Sequence, residues 1–466
     1  MKSASKSPLM EGYALGFGLF LGLTILKFGN PVILDNQIAP PVSFSDYLND
    51  AWPTHWAVWI FLPLALAGAA AVVYEKIPWP GSKWLWRLPL LWLAWQFISA
   101  LQTVDPGLTI ATLGQFSGCL AGYFIGAGLS GRKDALRWLL IGVLAAFAFC
   151  LVRAIDQRVF EFPQSHLLLV EGERDNWTNL PPELYLEMKR ANVIITTNGL
   201  DVANPAILAK FSKGRVNGTL VYPNALAGAI LLLLPVALAL ALNSAQRLRP
   251  VIRAFVLALT LFLGVTGFFW TGSKLGWLIA IAVVCTCLFR RQWPARFKWA
   301  ALFLILFVGL GIFTVRFHNY FAGGATSAGA RLDYWHAAGQ TALTHPLLGT
   351  GPGTFQRPYA ALKSPDAEMA RLTHNDYLEQ FSDSGIAGGV FYTAWILAAL
   401  IITGRRVWKG GNPLNFAIFM GLIGWFIQGI GEFGLYIPAL AWTAFTLLGY
   451  LVGSAGKRFD KPATGN

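Results

Sequence analysis

Twelve apolar runs of spanning length, repeated from one end of the 466-residue chain to the other, decide most of what it can fold into. They lie near 12 to 28, 55 to 74, 86 to 102, 108 to 130, 135 to 155, 220 to 243, 252 to 270, 274 to 290, 299 to 317, 385 to 403, 414 to 431 and 436 to 454. A helix needs about 20 apolar residues to cross a hydrocarbon core about 30 Å thick. In lipid every backbone N–H and C=O must be satisfied inside the protein, so continuous runs of this kind are expected to be helices. A transmembrane barrel would show short alternating segments, and none appear. With 55% hydrophobic and 13% charged residues, and a mean hydropathy of +0.52, the chain is too apolar for an average soluble domain. The expected fold is an all-α integral membrane protein.

A formal net charge of +13 invites comparison with nucleic-acid binders, but the positions of the cations argue against one. Lys76, Lys83 and Arg87, then Arg132, Lys133 and Arg137, then Arg247, Arg249 and Arg253 fall in every second connection. So do Arg290, Arg291, Arg296 and Lys298, then Arg405, Arg406 and Lys409, and finally Lys457, Arg458 and Lys461. The opposite connections, such as TVDPG at 103 to 107, can lack Lys and Arg altogether. This is the positive-inside pattern, and it predicts cytoplasmic termini at both ends. Tryptophans near span ends, among them Trp52, Trp56, Trp79, Trp84 and Trp86, fit interfacial belts better than a base-stacking surface. Cys119, Cys150, Cys285 and Cys287 lie within or at the ends of spans, where a disulfide framework or zinc site is not expected. The first apolar run is too long for a cleaved signal peptide and is read as a retained anchor.

On this topology two connections on the outer face are far longer than the rest, and they divide the chain. Residues 1 to 155 form an N-terminal bundle of five spans, 156 to 219 the first outer loop, and 220 to 317 the central spans. Residues 318 to 384 form a second outer loop with two helices, and 385 to 466 the last spans and a cytoplasmic tail. In the first loop PPELYLEMKRAN, at 181 to 192, predicts a short amphipathic helix with Pro182 near its start. The second opens on AGGATSAGA, read as flexible, followed by a helix that Pro346 stops and the glycine-rich turn LLGTGPGTF. A further helix is expected through EMARLTHNDYLEQFSDSG, putting His374 on its surface. No internal repeat supports an inverted-repeat transporter.

The order VNGTLVYPNALAG, TGSKLGW, ARLDYWHAAGQTALTHPLLGTGPGTF and HNDYLEQFSDSGIAGG resembles the O-antigen ligase and O-antigen polymerase superfamily. The motifs cover roughly residues 200 to 400, and the series is more specific than any one element. The resemblance implies a GT-C-like bundle of about twelve transmembrane helices with two large periplasmic loops, in a bacterial inner membrane. It also implies an undecaprenyl-diphosphate-linked glycan donor and an acceptor on lipid A-core or another surface glycan, among membrane lipids and without nucleic acid or cofactor.

Glycosyl transfer from a lipid diphosphate requires cations for the departing diphosphate and a base for the acceptor hydroxyl. His374 is the candidate base, since an imidazole accepts protons near neutrality; the alternative is a surface histidine bonded to Asn375 or Asp376. Arg331 is the first diphosphate candidate because a planar guanidinium holds two oxygens at once; an arginine anchoring the loop at lipid headgroups is the alternative. Arg215, just before a span, is a second, and an ordinary juxtamembrane arginine is its competing reading. Lys274 stands where the superfamily usually carries arginine, supplying charge without the fork, or simply snorkelling to the interface. Arg371, three residues from His374, would share its face if the segment is helical. Asn224, Asn375 and Tyr377 are assigned to substrate orientation or helix packing. Asp376, Glu379 and Asp383 read as the solvated face of a helix rather than metal ligands.

Three functions follow: a ligase, a polymerase extending a lipid-linked repeat unit, or a transporter that binds a lipid-linked sugar without chemistry. Transporters tend to place ionisable residues at the bilayer midplane, whereas the polar residues here gather on one outer face. The single histidine motif leans toward ligase. Transfer is expected to be independent of metal, so activity should persist in excess chelator; its complete loss there would refute this.

Overall fold

Each apolar run becomes a helix, as the demand for internally satisfied backbone requires. The computed structural model describes residues 8–74, 82–130, 132–244 and 249–456. Lys76, Trp79, Arg247, Lys457, Arg458 and Lys461 from the charge and tryptophan patterns lie outside the described residues. In chain order the helices are α1 (Pro8–Lys27), α2 (Phe44–Asn49), α3 (Thr54–Tyr74), α4 (Trp84–Ser99), α5 (Pro106–Leu129), α6 (Lys133–Asp156), α7 (Phe162–Arg174), α8 (Pro182–Arg190) and α9 (Pro205–Lys213). There follow α10 (Pro223–Ser244), α11 (Pro250–Thr271), α12 (Lys274–Arg290), α13 (Ala295–Ala322), α14 (Thr326–Thr344), α15 (Gln356–Leu362), α16 (Asp376–Lys409), α17 (Pro413–Gln428) and α18 (Pro438–Gly456).

Eight stretches among the described residues are long and apolar enough to cross a membrane, against the twelve spans expected. The other four runs are helical too, as α4, α12, α17 and α18. However, α4, α12 and α17, at 16, 17 and 16 residues, fall short of a full crossing at 1.5 Å per residue. The largest core cluster joins α1, α5, α6, α10, α16, α17 and α18. Small residues let these backbones approach closely: a Cβ at Gly126 of α5 would lie 1.9 Å from the Thr446 carbonyl oxygen of α18. By contrast α11 and α13 bury little against the rest.

The connections at one end of the bundle are tied together. Trp52 N donates to Lys27 O (2.9 Å), Val221 N to Gly29 O (3.1 Å), Val104 N to Thr350 O (2.9 Å) and Asp376 N to Gly429 O (2.7 Å). The long first connection is less of a loop than expected. A π-helical turn over Gln157–Glu161 carries α6 straight into α7, and the amphipathic helix expected over 181 to 192 appears as α8. Between α8 and α9 lies an antiparallel hairpin, β1 (Ile194–Thr197) with β2 (Leu200–Ala203), so the chain is largely rather than wholly helical. Asn198 (φ 52°) and Gly199 (φ 80°) both take the left-handed conformation that a two-residue hairpin turn requires.

The second long connection departs further from expectation. The stretch read as flexible is mostly helix, since α13 runs to Ala322 and α14 starts at Thr326. The helix expected through residues 368 to 384 does not form before Asp376, because Asn375 caps α16 there, its Oδ1 accepting from Tyr377 N (3.1 Å) and Leu378 N (3.0 Å). Nor are the acidic residues of this stretch solvated: Asp376, Glu379 and Asp383 are all buried. Asp383 receives Gly353 N at its Oδ2 (2.7 Å), and its carbonyl receives Gly351 N (2.8 Å), which docks the glycine-rich turn on α16. Gly385 (φ 68°) breaks α16 at that point and lets Ile386 N reach Pro346 O (2.9 Å).

Gly349 (φ 66°) sits in the same joint, where an added Cβ would meet the Asp383 carbonyl 2.3 Å away. Left-handed strain alone is about 1–3 kcal/mol at such a position. Gly349→Ala should therefore lower the thermal unfolding temperature in detergent clearly, whereas Gly411→Ala, with open space at its Cβ, should leave it unchanged.

Candidate active site

The polar residues at the tied end converge on Glu432, which the α17–α18 connection places beneath α10, α14 and the start of α16. Its side chain is only 4% exposed. A buried carboxylate needs donors to offset its lost hydration, and Glu432 draws them from three segments. Arg331 Nη2 of α14 (2.6 Å) and Asn224 Nδ2 of α10 (2.7 Å) donate to Oε1. The Tyr222 hydroxyl donates to Oε2 (2.8 Å). His374 Nδ1 lies 3.5 Å from Oε2, an ion-pair distance too long for a hydrogen bond.

His374 is held there by its neighbours. It has φ 52°, a left-handed conformation that non-glycine residues adopt uncommonly. On one side Thr373 is clamped by buried Glu379, whose Oε2 accepts from Thr373 N (3.0 Å) and Oγ1 (2.9 Å). On the other, Asn375 is committed to capping α16. The imidazole stacks on Tyr334 (5.9 Å between centroids) and meets the edge of Phe433 (4.7 Å). Burial, then Glu368, holds the Tyr334 hydroxyl well above the ordinary phenol range, so it stays a neutral donor to Glu368.

A second layer carries positive charge. Arg215 donates through Nη2 to Asn224 Oδ1 (2.9 Å) and through Nε to Thr271 O (2.7 Å). Burial pulls its proton affinity below the ordinary arginine range, the Glu432 carboxylate opposes this, and Arg331 and Arg316 add to the depression. The ammonium of Lys274, within electrostatic reach of Arg215 and Arg331, lies 3.8 Å from the Tyr320 ring centroid. Its helix begins at Ser273, whose hydroxyl accepts from Gly276 N. Arg331 and Arg215 thus interact with the Glu432 carboxylate, and Lys274 lies within electrostatic reach of both arginines. Such an excess of positive charge, with Arg331 Nε left without a hydrogen-bond partner, suits an anion with several oxygens.

The structure brings together Arg215, Asn224, Lys274, Arg331 and His374 of the residues singled out from sequence. Arg371 is not among them. Because residues 371 to 375 are not helical, the three-residue spacing does not align it with His374, and Arg371 lines a separate cleft beside Arg357 and Asp105. Asn375 is spent on the α16 cap, and the Tyr377 hydroxyl on Phe426 O (3.1 Å), so both fix backbone rather than face the cations. Glu432 and Tyr222 escaped the sequence reading. Glu432 did carry a signal: it is the only charged residue between Lys409 and Lys457, and a lone ionisable group among apolar spans is a functional candidate by default.

Fold and site together define a multi-pass helical membrane protein with a buried polar cluster around Glu432 at one end of the bundle. Residues 259–393, which include Lys274, Arg331 and His374, match the family described as O-Antigen ligase. That match supports membership in the superfamily of O-antigen ligases and polymerases and is consistent with an enzyme that handles lipid-linked glycans. No curated protein matches the chain.

Removing one partner of a buried ion pair strands the other, at about 3–5 kcal/mol. Glu432→Ala should therefore destabilise the protein more than Arg331→Ala, whose side chain is 23% exposed. Thermal unfolding of both single variants and the double variant should show a coupling of about 1–3 kcal/mol, and strict additivity would refute the pairing.

Proposed function

We propose that the protein transfers a glycan from undecaprenyl diphosphate to an acceptor hydroxyl of lipid A-core, at the periplasmic face of a bacterial inner membrane with both termini in the cytoplasm. The observation that carries this reading is the convergence of His374 and Arg331 on one buried carboxylate, Glu432, beside Arg215 and Lys274.

Glu432 lies against Nδ1 of His374, which leaves Nε2 as the nitrogen available to a substrate. A carboxylate in that position orients the ring and stabilises the imidazolium that forms on proton uptake. The acceptor oxygen attacks the anomeric carbon as its proton passes to Nε2. The bond from that carbon to the phosphate oxygen breaks, and the electron pair leaves with the diphosphate. Arg331, Arg215 and Lys274 stabilise the charge growing on the departing group, which preorganised cations do best where water is scarce. Arg331 holds Glu432 until a diphosphate arrives, so its guanidinium is already desolvated and aimed.

The reading is supported by the family match and by the gathering of charge at one end of the bundle. Extension of a lipid-linked repeat unit by the same site is the competing activity, and the acceptor separates the two. With labelled undecaprenyl-diphosphate glycan and lipid A-core, the purified protein should label the acceptor. His374→Ala should reduce that transfer by about 10²–10⁴-fold, the usual contribution of a general base, and Arg331→Ala should reduce it strongly. Label chased into longer lipid-linked chains would assign a polymerase; no transfer to either acceptor would overturn the proposal.

A further inference from the structure

A large cavity among the described residues lies away from the Glu432 site. It is a slot of about 1200 Å³ between α10 and α17 on one side and α11, α12 and α13 on the other. That exceeds the about 300–1,000 Å³ of ordinary small-molecule pockets. It is walled by aliphatic and aromatic side chains from Ile230 to Leu242 and from Trp277 to Phe289, with no acidic residue in its lining. Along α12 it runs from Trp277 to Arg290, a rise of about 20 Å at 1.5 Å per residue. One leaflet of a hydrocarbon core about 30 Å thick is shorter than this. Exposed Leu242, Leu261, Val284 and Phe289 border it.

One mouth of the slot is cationic. Arg290, Arg291 and Lys409 lie there together. Arg290 is committed, donating to Val407 O and Gly410 O and stacking 4.0 Å from the Phe416 ring centroid, so it forms a rigid floor. Arg291 and Lys409 are exposed, and their side chains make no hydrogen bond or ion pair among the described residues. This mouth lies where α12 ends, the opposite end of that helix from Lys274 and the Glu432 cluster. The helices flanking it are also short: α12 and α17, at 17 and 16 residues, leave hydrocarbon depth that their own length does not fill.

We propose that this slot is a binding site for an anionic phospholipid of the leaflet opposite the Glu432 site, its acyl chains between α10 and α12 and its phosphate on Arg291 and Lys409. Apolar walls of leaflet length and two uncommitted cations at the headgroup level match that ligand at both ends. A neutral lipid would leave the cations unanswered, and a free phosphate would leave the slot empty. The lipid joins the loosely packed α11–α13 group to the core, so it acts as a wedge that completes the bundle rather than as a substrate.

Native mass spectrometry of the purified full chain, with phosphatidylglycerol or phosphatidylcholine added back after delipidation, tests this independently of any transferase activity. Phosphatidylglycerol should be retained preferentially, and the double variant R291Q/K409Q, altered only at exposed positions, should weaken its retention by at least about tenfold. Ala280→Trp, which fills the slot, should weaken it too; should that variant misfold, the charge variant decides alone. Equal retention of the two lipids, or unchanged retention in R291Q/K409Q, would overturn the proposal. So would displacement of phosphatidylglycerol by undecaprenyl diphosphate, which would assign the slot to the tail of a donor.

Discussion

A carboxylate taken out of water pulls donors toward itself, and Glu432 gathers polar side chains from parts of the chain far apart in sequence. Tyr222 and Asn224 open α10, Arg331 belongs to α14, and His374 precedes α16, yet all four face one side chain in the α17–α18 connection. Ion pairing alone is a poor guide to stability, because the desolvation of both partners opposes it. What the arrangement supplies is position. A shared polar anchor sets the relative height of the apolar helices at the end where the candidate site lies.

That anchor is itself supported by a row of buried acids along the start of α16. Asp376 receives Leu435 N at 3.2 Å and so fixes the connection that carries Glu432. Glu379 clamps Thr373 and thereby holds His374 in its left-handed conformation. Asp383 holds the glycine-rich turn. Three carboxylates spaced along one short helix thus each grip a different loop. The kink at Gly385 makes this possible, since it separates the gripping segment from the long apolar helix below.

Much of this architecture was legible. The apolar runs marked their helices because spanning length is a severe demand, and Pro182 and Pro346 marked the start of α8 and the limit of α14. The candidate cations and His374 were visible through their motifs. What escaped depended on tertiary contact. Whether residues 371 to 375 continue a helix turns on Asn375 acting as a cap, which the neighbouring polar residues left open. Burial of Asp376, Glu379 and Asp383 follows from loops folding back over α16 from distant parts of the chain, and composition alone reads such residues as solvated. The hairpin turn, in contrast, is local: Asn198 and Gly199 are a pair that favours the left-handed conformation it needs. The number of full crossings was also blurred, since apolar helices of 16 or 17 residues look alike whether they traverse a bilayer or stop within it.

The continuous run of α6 through its π turn into α7 has a mechanical meaning. The thirteen residues of α7 add about 20 Å of rod beyond that turn, at 1.5 Å per residue. The α8–hairpin–α9 lobe packs on this rod through a small core of its own, in which Leu169 of α7 meets Trp177, Met188 and Ile194. The lobe is therefore mounted on a mast rather than hung from a tether. Phe211 of α9 also packs against the main core beside Phe162, so the lobe is seated at the foot of this mast as well as along it.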